Sequence, residues 1–280
     1  MMKRRLPRSR ILGKVISYVI LGALFLAVVY PLFWTVMSSV KDNWAIFKDP
    51  VGFPSSPIIR NYIDVWTAGN FSRYFLNSVT ITGFSLIGIL FLSTMAGYGF
   101  ARYKFRGSDV LFNIFILSMV VVPSSIMIAQ YQLISFIGLL NTFPGVILVY
   151  LSWTVFGIVM SRQAFSEIPQ ELVDAAHIDG CGELRIYFHI MLPLIRPTLA
   201  TVGIFTFVWV WNDFIWPLIL LQQPGQETVT LGLLTLRGQY LADWGILTAG
   251  LTIAFVPLLV IYFLFQRHFV QGLGMGAVKQ

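Results

Sequence analysis

Val110–Ser161 reads VLFNIFILSMVVVPSSIMIAQYQLISFIGLLNTFPGVILVYLSWTVFGIVMS, 52 residues without a charge. A helix needs about 20 residues to cross ~30 Å of hydrocarbon, so this run is too long for one crossing and must be divided. Gln130, Gln132, Asn141, Thr142 and Pro144 cluster in its middle. Their polarity and turn chemistry predict helices near 110–129 and 145–161 joined by a short turn. Working outward, apolar stretches at Val15–Val40 and Tyr74–Ala101 precede the run, and Thr198–Leu221 and Trp244–Gln266 follow it. The expected fold is an all-α membrane protein with six transmembrane helices. Pro31, Pro123 and Pro257 fall inside these spans and predict kinks, which a bundle tolerates when neighbours re-satisfy the freed carbonyls. Ser93 and Gly97, one turn apart, either admit close approach of another helix or serve ordinary packing.

The composition of the whole chain excludes a soluble single-core domain: 280 residues are 57% hydrophobic and 11% charged, with mean hydropathy +0.78. One cysteine permits no intrachain disulfide, and three scattered histidines give no structural metal site. The net charge of +7 reads as topology rather than as nucleic-acid binding once the basic residues are located. Alternate loops carry 14 Lys and Arg on the side of Met1 (1–14, 101–109, 162–197, 267–280) against 5 on the other (37–73, 130–143, 222–243). By the positive-inside rule both termini are expected in the cytoplasm and the protein in the cell membrane as a multi-pass chain. The start, MMKRRLPRSR before a long apolar stretch, reads as a spanning anchor, because a cleaved signal carries an apolar core of only about 7–15 residues.

Between Arg162 and Pro197 lies the longest cytoplasmic loop, RQAFSEIPQELVDAAHIDGCGELRIYFHIMLPLIRP. Pro169 suits a first helical turn and Gly180 a left-handed stop, which predicts a helix of about three turns between them. After Cys181 and Gly182, an apolar stripe at Leu184, Tyr187, Phe188 and Met191 predicts a second, amphipathic helix ending before Pro193. Ala175, Ala176 and Gly180 are small, and Glu171, Asp174 and Asp179 supply charge around them. A helix of this kind either sits in a partner's groove or covers the protein's own bundle.

These residues carry a resemblance. Asp174-Ala175-Ala176, then Gly180, then Ile190-Met191-Leu192-Pro193 resembles the Glu-Ala-Ala (EAA) loop of ABC-importer permeases, with Asp174 standing where that family has Glu. Tyr74-Phe75-Leu76-Asn77-Ser78, Trp211-Asn212-Asp213, Phe269-Val270-Gln271-Gly272-Leu273 and Gly276-Ala277-Val278-Lys279 are similar to its carbohydrate-uptake branch, in particular to the maltose-type second permease. The resemblance implies a type I importer permease bundle. It divides the chain into residues 1–72 with the first span, a permease core over 73–267, and a cytoplasmic tail over 268–280. It also implies coupling helices within 167–193 that enter a cleft of a cytoplasmic ATPase, through Glu171, Asp174, Ala175, Ala176, Gly180, Ile190, Leu192 and Pro193. The implied partners are a second permease, two ATP-binding subunits and an extracytoplasmic sugar-binding protein, besides the lipid bilayer. The implied cargo is a mono- or oligosaccharide.

No Gly-x-x-x-x-Gly-Lys-Ser/Thr, His-Glu-x-x-His or Gly-x-Ser-x-Gly occurs, so the chain is not read as an enzyme. It is expected to hold no cofactor, with ATP and Mg left to the partner ATPase. A secondary transporter is the alternative, but such chains carry internal repeats and several intramembrane charges, and only Asp213 lies inside a span here. A structural assembly subunit is the other. Asp213 costs about 2.5–3.5 kcal/mol to insert, against roughly −4 to −8 kcal/mol from the Leu, Ile, Val and Phe residues of Thr198–Leu221. On a continuous helix Thr206, Trp209, Asp213 and Trp216 share one face beside Asn212, and aromatic faces with a carboxylate suit a sugar. The competing account has Asn212 and Asp213 bonding across helices. Lys41–Arg73, with Pro50, Pro54, Pro57, Trp44 and Trp66, reads either as a cap with interfacial aromatic anchors that touches the binding protein or as a tether.

Overall fold

The computed structural model describes residues 8–239 and 243–277, and all regular structure among them is helical. The basic start of the chain, residues 1–7, and Val278 and Lys279 of the terminal motif lie outside the described residues. Two compact units divide the chain. One holds the described residues of Met1–Phe71 and Leu233–Ala254, the other those of Ser72–Gly232 and Phe255–Gln280.

In the first unit α1 (Arg8–Ser38) carries Pro31 inside it, and α2 (Asn43–Lys48) and α3 (Arg60–Thr67) follow. Asp42 caps α2 by accepting from Ala45 N–H at 2.7 Å. Asn61, buried on α3, donates to the carbonyls of Ser39 and Lys41 at 2.9 and 3.0 Å, tying α3 to the end of α1.

The second unit is built around a close crossing. Helix α4 (Phe71–Arg102) presents Ser93 and Gly97. Facing them are Gly157 and Ser161, near the C-terminal end of the fourth apolar stretch. A Cβ added at Gly97 would stand 2.6 Å from Ser161 Cβ and 2.8 Å from Arg162 N, and one at Gly157 would stand 2.6 Å from Ser93 Cβ. No side chain fits there, so the small residues set the interaxial distance.

The long charge-free run departs from its expected division. Instead of one helix over 110–129 there are two, α5 (Ser108–Ser118) and α6 (Pro123–Phe136), bent by 104°. Pro123 starts a helix rather than kinking one: at its first turn the missing N–H costs nothing, and the preceding Val122 is extended, φ −68° and ψ 125°. Gln130 and Gln132 therefore lie within α6, and the turn falls at Gly138–Thr142, where Gly138 and Asn141 take positive φ. Thr142 then caps α7 (Phe143–Leu151), accepting from Gly145 N–H at 3.2 Å. A 3-10 turn at Ser152–Thr154 leads into α8 (Val155–Ser166).

Beyond α8 come α9 (Gln170–Ile178), α10 (Glu183–Ile186), a π-helical turn over Tyr187–Met191 and α11 (Leu192–Leu194). The expected span Thr198–Leu221 is also broken, into α12 (Arg196–Asn212) and α13 (Ile215–Leu220). Pro217 explains the break: it has no N–H for the carbonyl of Asp213 four residues earlier, and Thr230 Oγ1 donates to that carbonyl instead at 2.9 Å. Helix α14 (Val229–Gln239) and α15 (Trp244–Ala277), with Pro257 inside, complete the described elements. Ile81, Ile89, Ile134, Val149, Tyr150, Val210, Trp216 and Leu220 bring α4, α6, α7, α12 and α13 into one buried core.

Among the described residues, four stretches are long and apolar enough to cross a membrane: Ile16–Ser38, Phe71–Arg102, Phe143–Ser166 and Trp244–Gln266. Two bent pairs, α5 with α6 and Glu183–Leu194 with α12, reach that length only together.

Candidate functional site

Two places in the second unit gather the sequence's candidate residues. The first is the loop around α9. Gly180, at φ +76°, ends α9 with a Schellman pair: its N–H donates to His177 O at 3.0 Å, and Cys181 N–H donates to Ala176 O at 2.9 Å. The chain then re-enters helix at Glu183, so α9 and α10 form a hairpin.

One side of this hairpin is sealed against the bundle. Val173, Ala176, Ile186, Tyr187, Met191 and Ile195 bury themselves with Tyr98 of α4 and Phe165 of α8. Tyr187 OH lies 2.7 Å from Thr94 Oγ1. Arg102 donates to the carbonyls of Phe165 and Ile168 at 2.8 and 2.7 Å and to Gln170 Oε1 at 2.8 Å. Tyr103 OH donates to Glu183 Oε2 at 2.5 Å, and Glu183 Oε1 lies 3.0 Å from His177 Nε2. The Tyr103 hydrogen bond, with His177 beside it, holds the Glu183 carboxyl below its ordinary value. Burial and that same bond raise the Tyr103 phenol.

The other side is bare. Ile178 is 87% and Leu184 69% exposed, with Leu172 and Phe188 exposed beside them. Glu171, Asp174, Ala175, Asp179 and Gly180 are exposed on the same hairpin. Two expectations need correction. Ala176 belongs to the protein's own core at 5% exposure, so of the small residues only Ala175 and Gly180 are free to meet another surface. The amphipathic stripe is also displaced: Leu184 and Phe188 point out, while Ile186, Tyr187 and Met191 point in. Packing against Tyr98 and Phe165 selects Ile186, Tyr187 and Met191, and the helix runs through a π turn past Pro193, with Ile190, Leu192 and Pro193 left partly buried.

The second place is a cavity of about 890 Å³. Its wall runs from the α5–α6 break, at Met119 and Pro123, through Gln130 of α6, Ser152 and Trp153 of the 3-10 turn and Phe156 of α8, to Trp209, Asn212 and Asp213. Trp209 meets Phe156 edge-on at 5.3 Å, and Trp153 lies 4.8 Å from the Tyr150 ring. Gln130 Nε2 donates to Ser152 Oγ at 3.3 Å. Asp213 Oδ2 accepts from Tyr150 OH at 2.7 Å and from Trp216 N–H at 3.1 Å, which makes the carboxylate a tie to α7 and the cap of α13.

Of the five residues singled out on the fifth stretch, Trp209, Asn212 and Asp213 line this cavity. Thr206 and Trp216, each 3% exposed, do not: Trp216 lies beyond the break at Asp213, on α13, and Thr206 is buried within α12. Gln130, Ser152, Trp153 and Phe156 are wall residues that the sequence reading missed. They lie within the charge-free run, where they read as turn or packing until the bend brings them together. Three aromatic rings and five side chains that bond hydroxyls, Ser118 among them, give the wall the chemistry of a polyhydroxylated ligand: faces for C–H, and amide, hydroxyl and carboxylate for OH.

Residues 89–274 match the family described as binding-protein-dependent transport system inner membrane component. The diacetylchitobiose uptake system permease protein NgcG of Streptomyces coelicolor is 33% identical over 268 residues, 94% of this chain and 88% of that one. The lactose transport system permease protein LacG of Rhizobium radiobacter is 31% identical over 278 residues, 99% of this chain and 98% of that one. In fold, the chain is similar at TM-score 0.85 and 22% identity, over 95% of its length and 100% of the other's, to a bacterial ABC transporter involved in the import of the acidic polysaccharide alginate. The chain belongs to the family of binding-protein-dependent transport system inner membrane components.

Proposed function

We propose that this chain is one permease subunit of an ATP-driven importer for a mono- or oligosaccharide. The relatives named above carry sugars in their names, and the cavity wall has matching chemistry. Taking the bent α5–α6 pair as one crossing and α12 as another, beside the four continuous stretches, gives six spans, and the distribution of Lys and Arg supports cytoplasmic termini. A second permease completes the pathway, an extracytoplasmic binding protein delivers the sugar, and two ATPase subunits bind ATP and Mg and drive the cycle.

The observation that carries the reading is the two-sided hairpin of α9 and α10. A water-facing loop has no reason to leave Ile178 and Leu184 bare unless a partner covers them. Its opposite side is bonded to α4 and packed on Phe165 of α8, so a push on the bare side reaches the spans. Glu171, Asp174, Ala175 and Gly180 border that contact; Ala176, Ile190, Leu192 and Pro193 support it from behind. Asp174 accepts from Gln170 Nε2 at 3.1 Å and stays exposed to a cation of the ATPase. Trp209, Asn212 and Asp213, with Gln130, Ser152 and Trp153, are the residues proposed to meet sugar.

The test is co-purification of the ATPase with the intact chain and with Ala175→Trp, Asp174→Lys and Ile178→Asp, the second permease serving as the control for folding. Loss of the ATPase with the second permease retained is the expected result. Undiminished ATPase in all three variants would refute docking at this hairpin.

A further inference from the structure

Residues 41–57 form a closed loop beyond the end of α1, held together from inside. Ile58 N–H donates to Val40 O at 2.8 Å, so the loop returns to where it left the helix. Lys41, only 3% exposed, donates from Nζ to Asp49 O at 2.9 Å, and Ile46 of α2 packs inward. With these turned in, the rings turn out: Trp44 and Phe47 are each 68% exposed and Phe53 is 79% exposed. A loop surrounded by water would be built the other way round.

Chain geometry fixes the depth of these rings. Asn43 opens α2 five residues after Ser38 ends α1, within about 18 Å even if fully extended. Phe53 turns back onto α1 and meets the Phe33 ring edge-on at 6.2 Å. Phe33 lies five residues before Ser38, about 7.5 Å down the helix. Phe47 meets Trp244, the first residue of α15, edge-on at 6.4 Å. Lys48 Nζ stands 4.3 Å over the Trp44 ring, a cation held on an aromatic face. Trp, Tyr, Lys and Arg gather at the headgroup level of membranes for this amphipathic reason.

We propose that the outward face of residues 43–53 is a lipid-contact surface, which inserts Trp44, Phe47 and Phe53 into the headgroup and upper acyl region of the leaflet where α1 ends. The inference rests on reading Ile16–Ser38 as a span. Lys48 supplies the charge for a lipid phosphate beside the rings. A soluble partner protein would require the rings to stand clear of the bilayer, whereas the Phe33 contact draws Phe53 level with the span.

The test uses the full transporter complex in phosphatidylcholine vesicles, with Cys181→Ser as background and single cysteines at Trp44→Cys or Phe53→Cys carrying a bimane fluorophore. Arg60→Cys on α3, whose side chain is 83% exposed, is the water-facing control, and Leu26→Cys reports the span itself. Lipids bearing a nitroxide near the headgroup should extinguish the labels at 44 and 53 and spare the one at 60, and aqueous iodide should do the reverse. Iodide quenching at 44 and 53 without nitroxide quenching, while deep nitroxide still quenches the label at 26, overturns the lipid contact and leaves the span standing. Loss of quenching at 26 as well removes the span on which the inference rests. Shielding from iodide that appears only when an extracytoplasmic binding protein is added also overturns it and assigns the rings to a protein contact.

Discussion

Gly97→Ala and Gly99→Ala place the same methyl group on α4 two residues apart, with opposite expected outcomes. Both gain helix propensity, about 1 kcal/mol for Gly to Ala in a helix interior. At Gly99 nothing lies within 4 Å of the new Cβ, so the gain stands. At Gly97 the methyl meets Ser161 Cβ at 2.6 Å and the backbone nitrogen of Arg162 at 2.8 Å. Backbone cannot turn aside, so α4 and α8 must separate, and overpacking of this kind costs about 1–3 kcal/mol. The two variants should therefore differ by about 1–3 kcal/mol, with Gly97→Ala the less stable. Ser161→Gly in the Gly97→Ala background removes the first contact and leaves the second, which predicts partial rescue. Thermal unfolding of the purified complex in nanodiscs orders the variants by Tm. Equal Tm for the two single substitutions would refute the close crossing, and rescue by an unrelated Ser→Gly on α8's other neighbours would refute its location.

Tyr150→Phe removes one donor from the Asp213 carboxylate, a hydrogen bond to a charged group worth about 1.5–3 kcal/mol, and should reduce sugar uptake into vesicles while the subunits still co-purify. Gly180→Ala forces a Cβ into a left-handed position at φ +76°, a cost of about 1–2 kcal/mol, and should weaken ATPase retention although nothing crowds the site. Because Tyr103 holds the folded Glu183 pKa below the ordinary 4.5, the contribution of that pair is present above the unfolded value and lost as pH falls through the folded one. Amide exchange over 170–186 should accelerate in that acid window for the intact chain, and Glu183→Gln should show the accelerated rate at neutral pH. Spin labels on Leu148 of α7 and Val159 of α8 should change separation when nucleotide binds the assembled complex; a constant distance would show that α8 does not move against α7.

How far the sequence could be read follows the range of the signals. Pro169 and Gly180 marked both ends of α9 because helix start and stop chemistry is local, and Gly180 acts through its own φ. Ser93 and Gly97 were visible as a pair, but their partners Gly157 and Ser161 belong to another helix, so only the structure pairs them. The breaks at Pro123 and Asp213 were legible in principle. Pro123 at a helix start and Pro217 four residues after Asp213 carry them, but hydropathy averaged over a span overrode both. The displaced face of the second loop helix was not legible, because the apolar stripe fits a face centred on Tyr187 and Met191 as well as one that includes Leu184 and Phe188, and only packing against Tyr98 and Phe165 chooses between them. The wall residues Gln130, Ser152 and Trp153 come together from separate helices and depend on the bend at Pro123.

The same bends decide which parts of the cavity can move. At its C-terminal end α8 contributes Phe165, fully buried in the loop core, and near its start it contributes Phe156 to the cavity. Twelve residues of helix make that about 18 Å of rigid rod. Along the rod, Ser161 is wedged on Gly97 and the Arg162 guanidinium lies 3.7 Å over the Phe112 ring, so α8 is gripped by α4 and α5 near its loop end. Asp213 is tied elsewhere, to Tyr150 of α7, across the 3-10 turn that separates α7 from α8. A three-residue turn with i→i+3 bonding inside a helix is where a hinge in this stretch would fall. In the proposed importer, a push on the hairpin would bear on this rod near Phe165 and reach Phe156, on which the Trp209 ring packs. The wall draws ring faces and hydroxyl acceptors from α8, from α12 with its cap Asp213, and from the Ser152–Thr154 turn, and a change at that turn is the motion that the labels at 148 and 159 would read.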